Sequence, residues 1–308
     1  MSKTAFIFPG QGAQVCGMGR DFYEKTEIGR QVFDRATELL GFSVPELCFE
    51  PNDRLDITEY TQPAMVTVCV AMLKVMEEMG IQADAAAGLS LGEYPALVAA
   101  GAMSSEDAIL TVRRRGILMQ EAVPAGLGGM SAVLGMTAEQ VNAVIDPIED
   151  VQAANYNCPG QVVISGTVDA VKLASEKLKE AGAKRILPLN VSGPFHSQLL
   201  ETAGSELSRH LEHVALKTPV IPYVANVTAK KVTDVSEIRQ LLSKQVFSSV
   251  LWQQSVETMI ADGVDRFIEI GPSRTLAGFI KKIDRSVTVL NVETLKDLKQ
   301  LQDWKELC

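Results

Sequence analysis

The chain of 308 residues is 46% hydrophobic and 22% charged, with a formal charge of −9. That is an ordinary globular composition, long enough for more than one domain and short of three. The acidic balance disfavours nucleic acid, which is held by basic surfaces. Five cysteines (Cys16, Cys48, Cys69, Cys158, Cys308) are scattered without a C-x-x-C pair, which argues against a disulfide framework or zinc site and for a reducing compartment. The apolar run at Met1–Phe8 is too short for a signal peptide, and Ala64–Leu73, interrupted by Thr67 and stopped by Lys74, is too short to span a bilayer. The expectation is a cytoplasmic protein without a membrane segment.

Strand and helix signals alternate along the chain, predicting an α/β fold with a largely parallel sheet. Thr4–Phe8 reads as a first strand, broken by Pro9-Gly10. Gln62–Met79 reads as a largely buried helix, Ala83–Ala87 as a short strand, and Gly92–Ala100 as a helix closed by Gly101. Ser104 caps a long helix running to Ala122, with Asp107 three residues on. Gly126-Leu127-Gly128-Gly129 reads as a hinge. Beyond it come a strand (Met130–Leu134), a helix opened by Thr137 and running to Ile145, and strands at Val151–Tyr156 and Gln161–Ser165. A helix at Val168–Ala181 and a strand at Lys184–Leu189 follow. That order, β-α-β-β-α-β, is the ferredoxin-like pattern, read here as a small domain inserted in a larger one that resumes near residue 196. Val264–Ile270 is a strand, Gly271-Pro272 a turn and Arg274–Ile283 a helix.

Four stretches carry chemistry. Gly88-Leu89-Ser90-Leu91-Gly92 lies between a strand and a helix, the setting of a nucleophile elbow. Its glycines permit close backbone approach or positive φ. At the helix N-terminus Ser90 meets free N–H groups that favour developing negative charge. Pro95, early in that helix, is a misfit because it removes an N–H. A structural strand-to-helix turn explains the pentapeptide equally well. A serine nucleophile needs a base, and the chain has three histidines. His210 falls with Ala203, Leu207, Leu211 and Val214 on one helical face and reads as packed, and His213 as exposed. His196 sits in Gly193-Pro194-Phe195-His196-Ser197, a loop at the domain junction, where it is either a reactive base or a turn residue with a local hydrogen bond.

Phe8-Pro9-Gly10-Gln11-Gly12-Ala13-Gln14 is a glycine-rich loop after a strand. It lacks the Lys-Ser/Thr of a phosphate loop, and Val15 stands where the dinucleotide pattern needs a glycine. It offers either a backbone oxyanion donor or a tight turn. Arg113-Arg114-Arg115-Gly116 fans three cations over about 200° of a helix that is apolar around much of its girth. At least one arginine then faces protein or a cleft, and it needs either a structural carboxylate partner or an anionic ligand.

Together these stretches resemble the malonyl-CoA:acyl carrier protein transacylases, acyltransferases of bacterial fatty acid synthesis. The motifs run in order through nearly the whole chain: FPGQGAQ at 8–14, YTQPA at 60–64, GLSLGEY at 88–94, RRGILMQ at 114–120, NYNCPGQVVISG at 155–166, GPFHS at 193–197 and FIEIGP at 267–272. The resemblance implies a large α/β-hydrolase-like domain with a parallel sheet (1–125 and 196–308) plus an inserted small ferredoxin-like domain (126–195). It implies Ser90 as acyl-accepting nucleophile, His196 as base, and the backbone N–H groups of Gln11 and Leu91 as oxyanion hole. Arg115 would bind the malonyl carboxylate, and Gln62, Asn157 and Gln161 would line the site. The base would be oriented by the main-chain carbonyl of Gln245, without a triad acid. Phe195 before the histidine resembles malonyl-selective members.

The implied partners are malonyl-CoA and the phosphopantetheine arm of an acyl carrier protein, with no metal or bound cofactor, no nucleic acid and no membrane. An acidic carrier meeting this acidic chain needs a basic patch; Lys184-Arg185, Lys230-Lys231 and Lys281-Lys282 with Arg285 are candidates. The family commonly has His where this chain has Leu89, which predicts an altered rate or pH dependence. Alternative readings are a serine thioesterase or esterase, an acyltransferase serving a polyketide synthase, a lipase drawing its acid from Asp262, and a non-catalytic binding protein.

Overall fold

The computed structural model describes residues 2–124, 126–191, 193–298 and 301. Ala125, Ser192, Cys308 and the segment after Leu301, which include two of the expected domain limits, lie outside the described residues.

Among the described residues ten strands form two sheets. In chain order they are β1 (Lys3–Phe8), β2 (Ala85–Gly88), β3 (Gly128–Leu134), β4 (Val151–Cys158), β5 (Gln161–Thr167), β6 (Arg185–Pro188), β7 (Tyr223–Val224), β8 (Lys231–Val232), β9 (Val264–Ile270) and β10 (Thr288–Val292). The six-stranded sheet has the order β10-β9-β1-β2-β7-β8. It is parallel except for β8, which pairs antiparallel with β7. The four-stranded sheet, β4-β5-β3-β6, is antiparallel throughout.

The large sheet is covered on both faces, as parallel sheets must be. Along β1, Ala5 and Ile7 join one core cluster and Phe6 and Phe8 the other, the period-2 alternation of a doubly buried strand. The long helix Thr58–Glu78 is buried over most of its girth. It begins four residues before the expected Gln62, so Pro63 falls inside it. Proline cannot donate to the carbonyl four residues back, and Glu59 O is satisfied from outside: Arg113 Nη1 donates to it at 2.6 Å. Arg113 also pairs with the Glu59 carboxylate at 2.7 Å. One of the three arginines is thus structural. Gly116 lets the two helices touch, since a Cβ there would stand 2.9 Å from Thr58 O.

The small sheet buries one face under the helices Ala138–Ile145 and Val168–Glu180, with Val133, Val162 and Ile164 in that core. Thr137 forms the expected cap, reinforced by Gln140 in a capping box. The glycine run does not act as a hinge along its whole length. Gly128 and Gly129 open β3, opposite Thr167 and Gly166, and a Cβ on Gly128 would meet Pro194 at 2.2 Å. The small sheet is tied to the segment after the helix Val235–Gln245, where Val250 bonds to both neighbours of Asn155, accepting from Tyr156 N at 2.9 Å and donating to Ala154 O at 2.8 Å. No helix among the described residues is long and apolar enough to cross a membrane.

Candidate active site

A cavity of about 240 Å³ opens between the sheets, at the carboxyl ends of β1 and β2, where open parallel sheets commonly place their ligands. Its floor holds Gln11, Ser90, Arg115 and His196, and the open face of the small sheet contributes Met130, Ala132, Asn155, Asn157, Gln161 and Val163. Side-chain alternation explains this wall: in β5, Val162 and Ile164 face the small core while Gln161 and Val163 face the cavity.

Ser90 follows β2 after one residue, Leu89, and starts a short 3₁₀ turn that leads into the helix Glu93–Ala99. The serine, rather than either glycine, takes the positive φ (51°). The glycines serve close packing instead. A Cβ on Gly88 would fall 1.9 Å from Gly92 C, and one on Gly92 would fall 2.1 Å from Phe8 O. Pro95 is the third residue of its helix, in the first turn, whose N–H groups have no intrahelical partner in any case. The expected misfit is therefore absent.

Ser90 Oγ lies 2.7 Å from His196 Nε2, and His196 Nδ1 lies 2.7 Å from Gln245 O. A carbonyl only accepts, so Nδ1 carries the proton and Nε2 is free to accept from the serine. His196 also sits at positive φ (58°). Burial, then the nearby Arg115 charge, pull its pKa down from 6.5 to about 4; the imidazole is neutral over the working range. Asp262 is elsewhere, paired with Lys231 at 2.8 Å. His210 is half-buried, His213 is exposed, and neither lines the cavity.

Arg115 is 1% exposed, and no carboxylate lies within ion-pair distance of it among the described residues. Nη2 donates to Ser90 Oγ at 3.1 Å and to Gln245 Oε1 at 3.0 Å, while Nε has no partner. The structural ion pair that the sequence left open for it is not formed. Arg114 is exposed. The backbone N–H groups of Gln11 and Leu91 also lack partners among the described residues. The loop carrying Gln11 is held by Gln14, whose Oε1 accepts from Gly12 N at 2.7 Å.

Gln62 stands behind the wall rather than in it. Fully buried, it donates to Gln11 Oε1 at 3.4 Å. Leu89 lines the cavity, half-buried. Four contributors carry no sequence signal of their own. Asn226 bridges the elbow, accepting from Ser90 N at 2.6 Å and donating to Gly88 O at 2.7 Å. Glu93 accepts from Asn226 N and from Gln245 Nε2. The Gln245 side chain also donates to Ser90 O at 2.9 Å. Gln152 of β4 donates to His196 O and accepts from Gln198 N, each at 3.0 Å. Glu93 lies within GLSLGEY and Gln245 was expected for its main-chain carbonyl alone, while nothing local marked Asn226 or Gln152.

Residues 5–302 match the acyl transferase domain family. A malonyl CoA-acyl carrier protein transacylase of Bacillus subtilis is 47% identical over 304 residues, covering 96% of both chains. The chain belongs to this transacylase family. Among solved structures, the malonyl CoA-acyl carrier protein transacylase of Clostridium perfringens superposes with a TM-score of 0.95 at 45% identity, covering 99% of this chain and 98% of that one. A malonyl-transacylase in complex with its type II PKS acyl-carrier protein gives 0.94 at 38% identity, covering 97% and 98%.

Proposed function

We propose that this transacylase moves a malonyl group from malonyl-CoA to the phosphopantetheine thiol of an acyl carrier protein. The observation that carries the substrate assignment is Arg115: a buried guanidinium without a carboxylate partner, 3.1 Å from the Ser90 hydroxyl, on the cavity floor. A malonyl carboxylate supplies the missing anion, and an acetyl group leaves it unpaired at a cost of roughly 1–3 kcal/mol.

Ser90 Oγ attacks the thioester carbonyl as its proton passes to His196 Nε2. The developing oxyanion meets the N–H groups of Gln11 and Leu91. Collapse releases coenzyme A, whose sulfur takes the proton from His196, and leaves malonyl as an ester on Ser90. The carrier thiol then gives its proton to His196, attacks the ester and restores Ser90, so the kinetics are ping-pong. Gln245 O holds the imidazole in the accepting tautomer, and among the described residues no acid bonds to it. Gln62 acts by supporting Gln11, while Asn157 and Gln161 present polar groups from the small sheet. Side chains and backbone supply all of this chemistry, so no metal or organic cofactor enters the reading.

The element order and the sheet order β4-β5-β3-β6 support a ferredoxin-like small domain over 126–195. The Ser90 turn at the end of β2 supports an α/β-hydrolase-like large domain in two segments. The helix Thr275–Ile283 lines the cavity through Thr275, Leu276 and Phe279 and ends in Lys281 and Lys282, which favours that patch for the acidic carrier. Lys231 is already paired with Asp262. Free Cys16, Cys48, Cys69 and Cys158 support a cytoplasmic setting.

The deciding experiment is intact mass spectrometry after brief exposure to malonyl-CoA. One malonyl adduct is expected, absent in Ser90→Ala and discharged by carrier protein. An adduct discharged only by water would make the protein a thioesterase. No adduct and no hydrolysis would leave a non-catalytic relative.

A further inference from the structure

Arg115 and Glu93 share one buried pocket without touching. Between them stands a single amide, that of Gln245. Arg115 Nη2 donates to its Oε1 at 3.0 Å, and its Nε2 donates to Glu93 Oε2 at 2.7 Å. All three side chains are at most 1% exposed. On either side of the amide a buried polar atom is left without a partner: Arg115 Nε and Glu93 Oε1. Two such atoms of opposite charge, one amide apart, would satisfy each other in a direct ion pair. The fold forgoes that pairing.

We infer that the Gln245 side chain is a specificity-determining spacer that keeps Glu93 from neutralising Arg115, so the guanidinium stays open to the substrate carboxylate. The inference rests on the reading of Arg115 as the malonyl-binding group. A direct ion pair would stabilise the empty enzyme but would have to be broken, with its desolvated partner abandoned, before malonyl could bind. The amide couples the two charges only weakly and carries no net charge of its own. Burial raises the Glu93 pKa to about 7, so the carboxyl is partly neutral near that pH and competes still less. Gln245 thus has two parts: its main-chain carbonyl orients His196, and its side chain, which also donates to Ser90 O at 2.9 Å, stands between Glu93 and Arg115.

Gln245→Leu keeps the carbonyl and removes the amide. Acylation of Ser90, followed by rapid quench and intact mass, is measured with malonyl-CoA and acetyl-CoA. The ratio of malonyl to acetyl transfer is expected to fall about tenfold to a hundredfold as Glu93 competes for the guanidinium, while loss of the bond to Ser90 O lowers both donors alike. Adding Glu93→Gln removes the competing carboxylate and restores that ratio. Should Gln245→Leu not fold, Glu93→Gln alone serves: the malonyl-to-acetyl ratio holds or rises. An equal fall for both donors in Gln245→Leu, or a lower ratio in Glu93→Gln, overturns the inference. Arg115→Ala tests the underlying reading separately. If it leaves the ratio unchanged, that reading falls and this inference with it; if it lowers the ratio while Gln245→Leu does not, only the spacer is wrong.

Discussion

The two sheets build the site by different means. The large parallel sheet places Ser90 through backbone: a positive φ, glycines at 88 and 92 with no room for a side chain, and N–H groups of Gln11 and Leu91 left unpaired. The small antiparallel sheet contributes through side chains. Its open face lines the cavity with Asn155, Asn157, Gln161 and Val163, and Gln152 holds the His196 loop. Backbone placement is rigid and intolerant, because a packed main chain cannot give way. Side-chain placement is adjustable, so the cavity wall can change while Ser90 stays fixed.

The largest effect should separate two glycines. Gly88→Ala drives a Cβ into backbone at 1.9 Å, whereas at Gly129, in β3, the nearest atom is Val168 Cγ2 at 3.7 Å. Gly88→Ala should cost about 3 kcal/mol or more, and Gly129→Ala should stay within about 1 kcal/mol. Denaturant midpoints give the comparison, and equal losses would erase the distinction drawn between the sheets.

Next comes Gln152→Met, which removes both hydrogen bonds to the His196 segment at constant length. His196 is held in a left-handed conformation that costs of order 1–3 kcal/mol. We expect kcat to fall about tenfold for malonyl and acetyl donors alike, with KM little changed. Unchanged kcat would show that the small sheet plays no part in placing the base.

The pH dependence is smaller and tests the shared wall. His196 is pulled down to about 4 from 6.5, so the base is available far below neutrality, and the acid limb of kcat/KM should lie well under 6.5. The unfolded chain takes up a proton between about pH 6.5 and 4 that the native state refuses. The stability linked to His196 is therefore complete above 6.5 and lost as pH falls through that window, and His196→Gln should flatten this slope in pH-dependent melting. An acid limb at 6.5 would mean water reaches the imidazole. The smallest change is Leu89→His, which adds a polar group beside Ser90 and should shift the pH–rate profile while leaving stability nearly constant. Superimposable profiles would show that the residue at this position is immaterial.

Ser90, His196 and Arg115 were legible because each combines a reactive residue type with a local pattern: an elbow between strand and helix, a Gly-Pro loop, a cation on an apolar helix. Asn226 and Gln152 were not. Asn226 meets Ser90 across 136 residues of chain, and Gln152 occupies an ordinary strand position. The same held for elements. Helices with clear caps, such as those opened by Ser104 and Thr137, began where expected. β7 has two residues and exists as a strand through its pairing with Ala86 and Ala87, which no local pattern announces.

The sequence by itself determined the alternation of strands and helices, the identity of the reactive groups and the family, because these depend on short-range spacing and residue chemistry. Only the tertiary structure decided which arginine is structural and which faces the cavity. It alone gave Gln62 a supporting place and set the Gln245 amide between Arg115 and Glu93. Those outcomes depend on which distant segments exclude water from one another, and burial of that kind is a property of the packed chain.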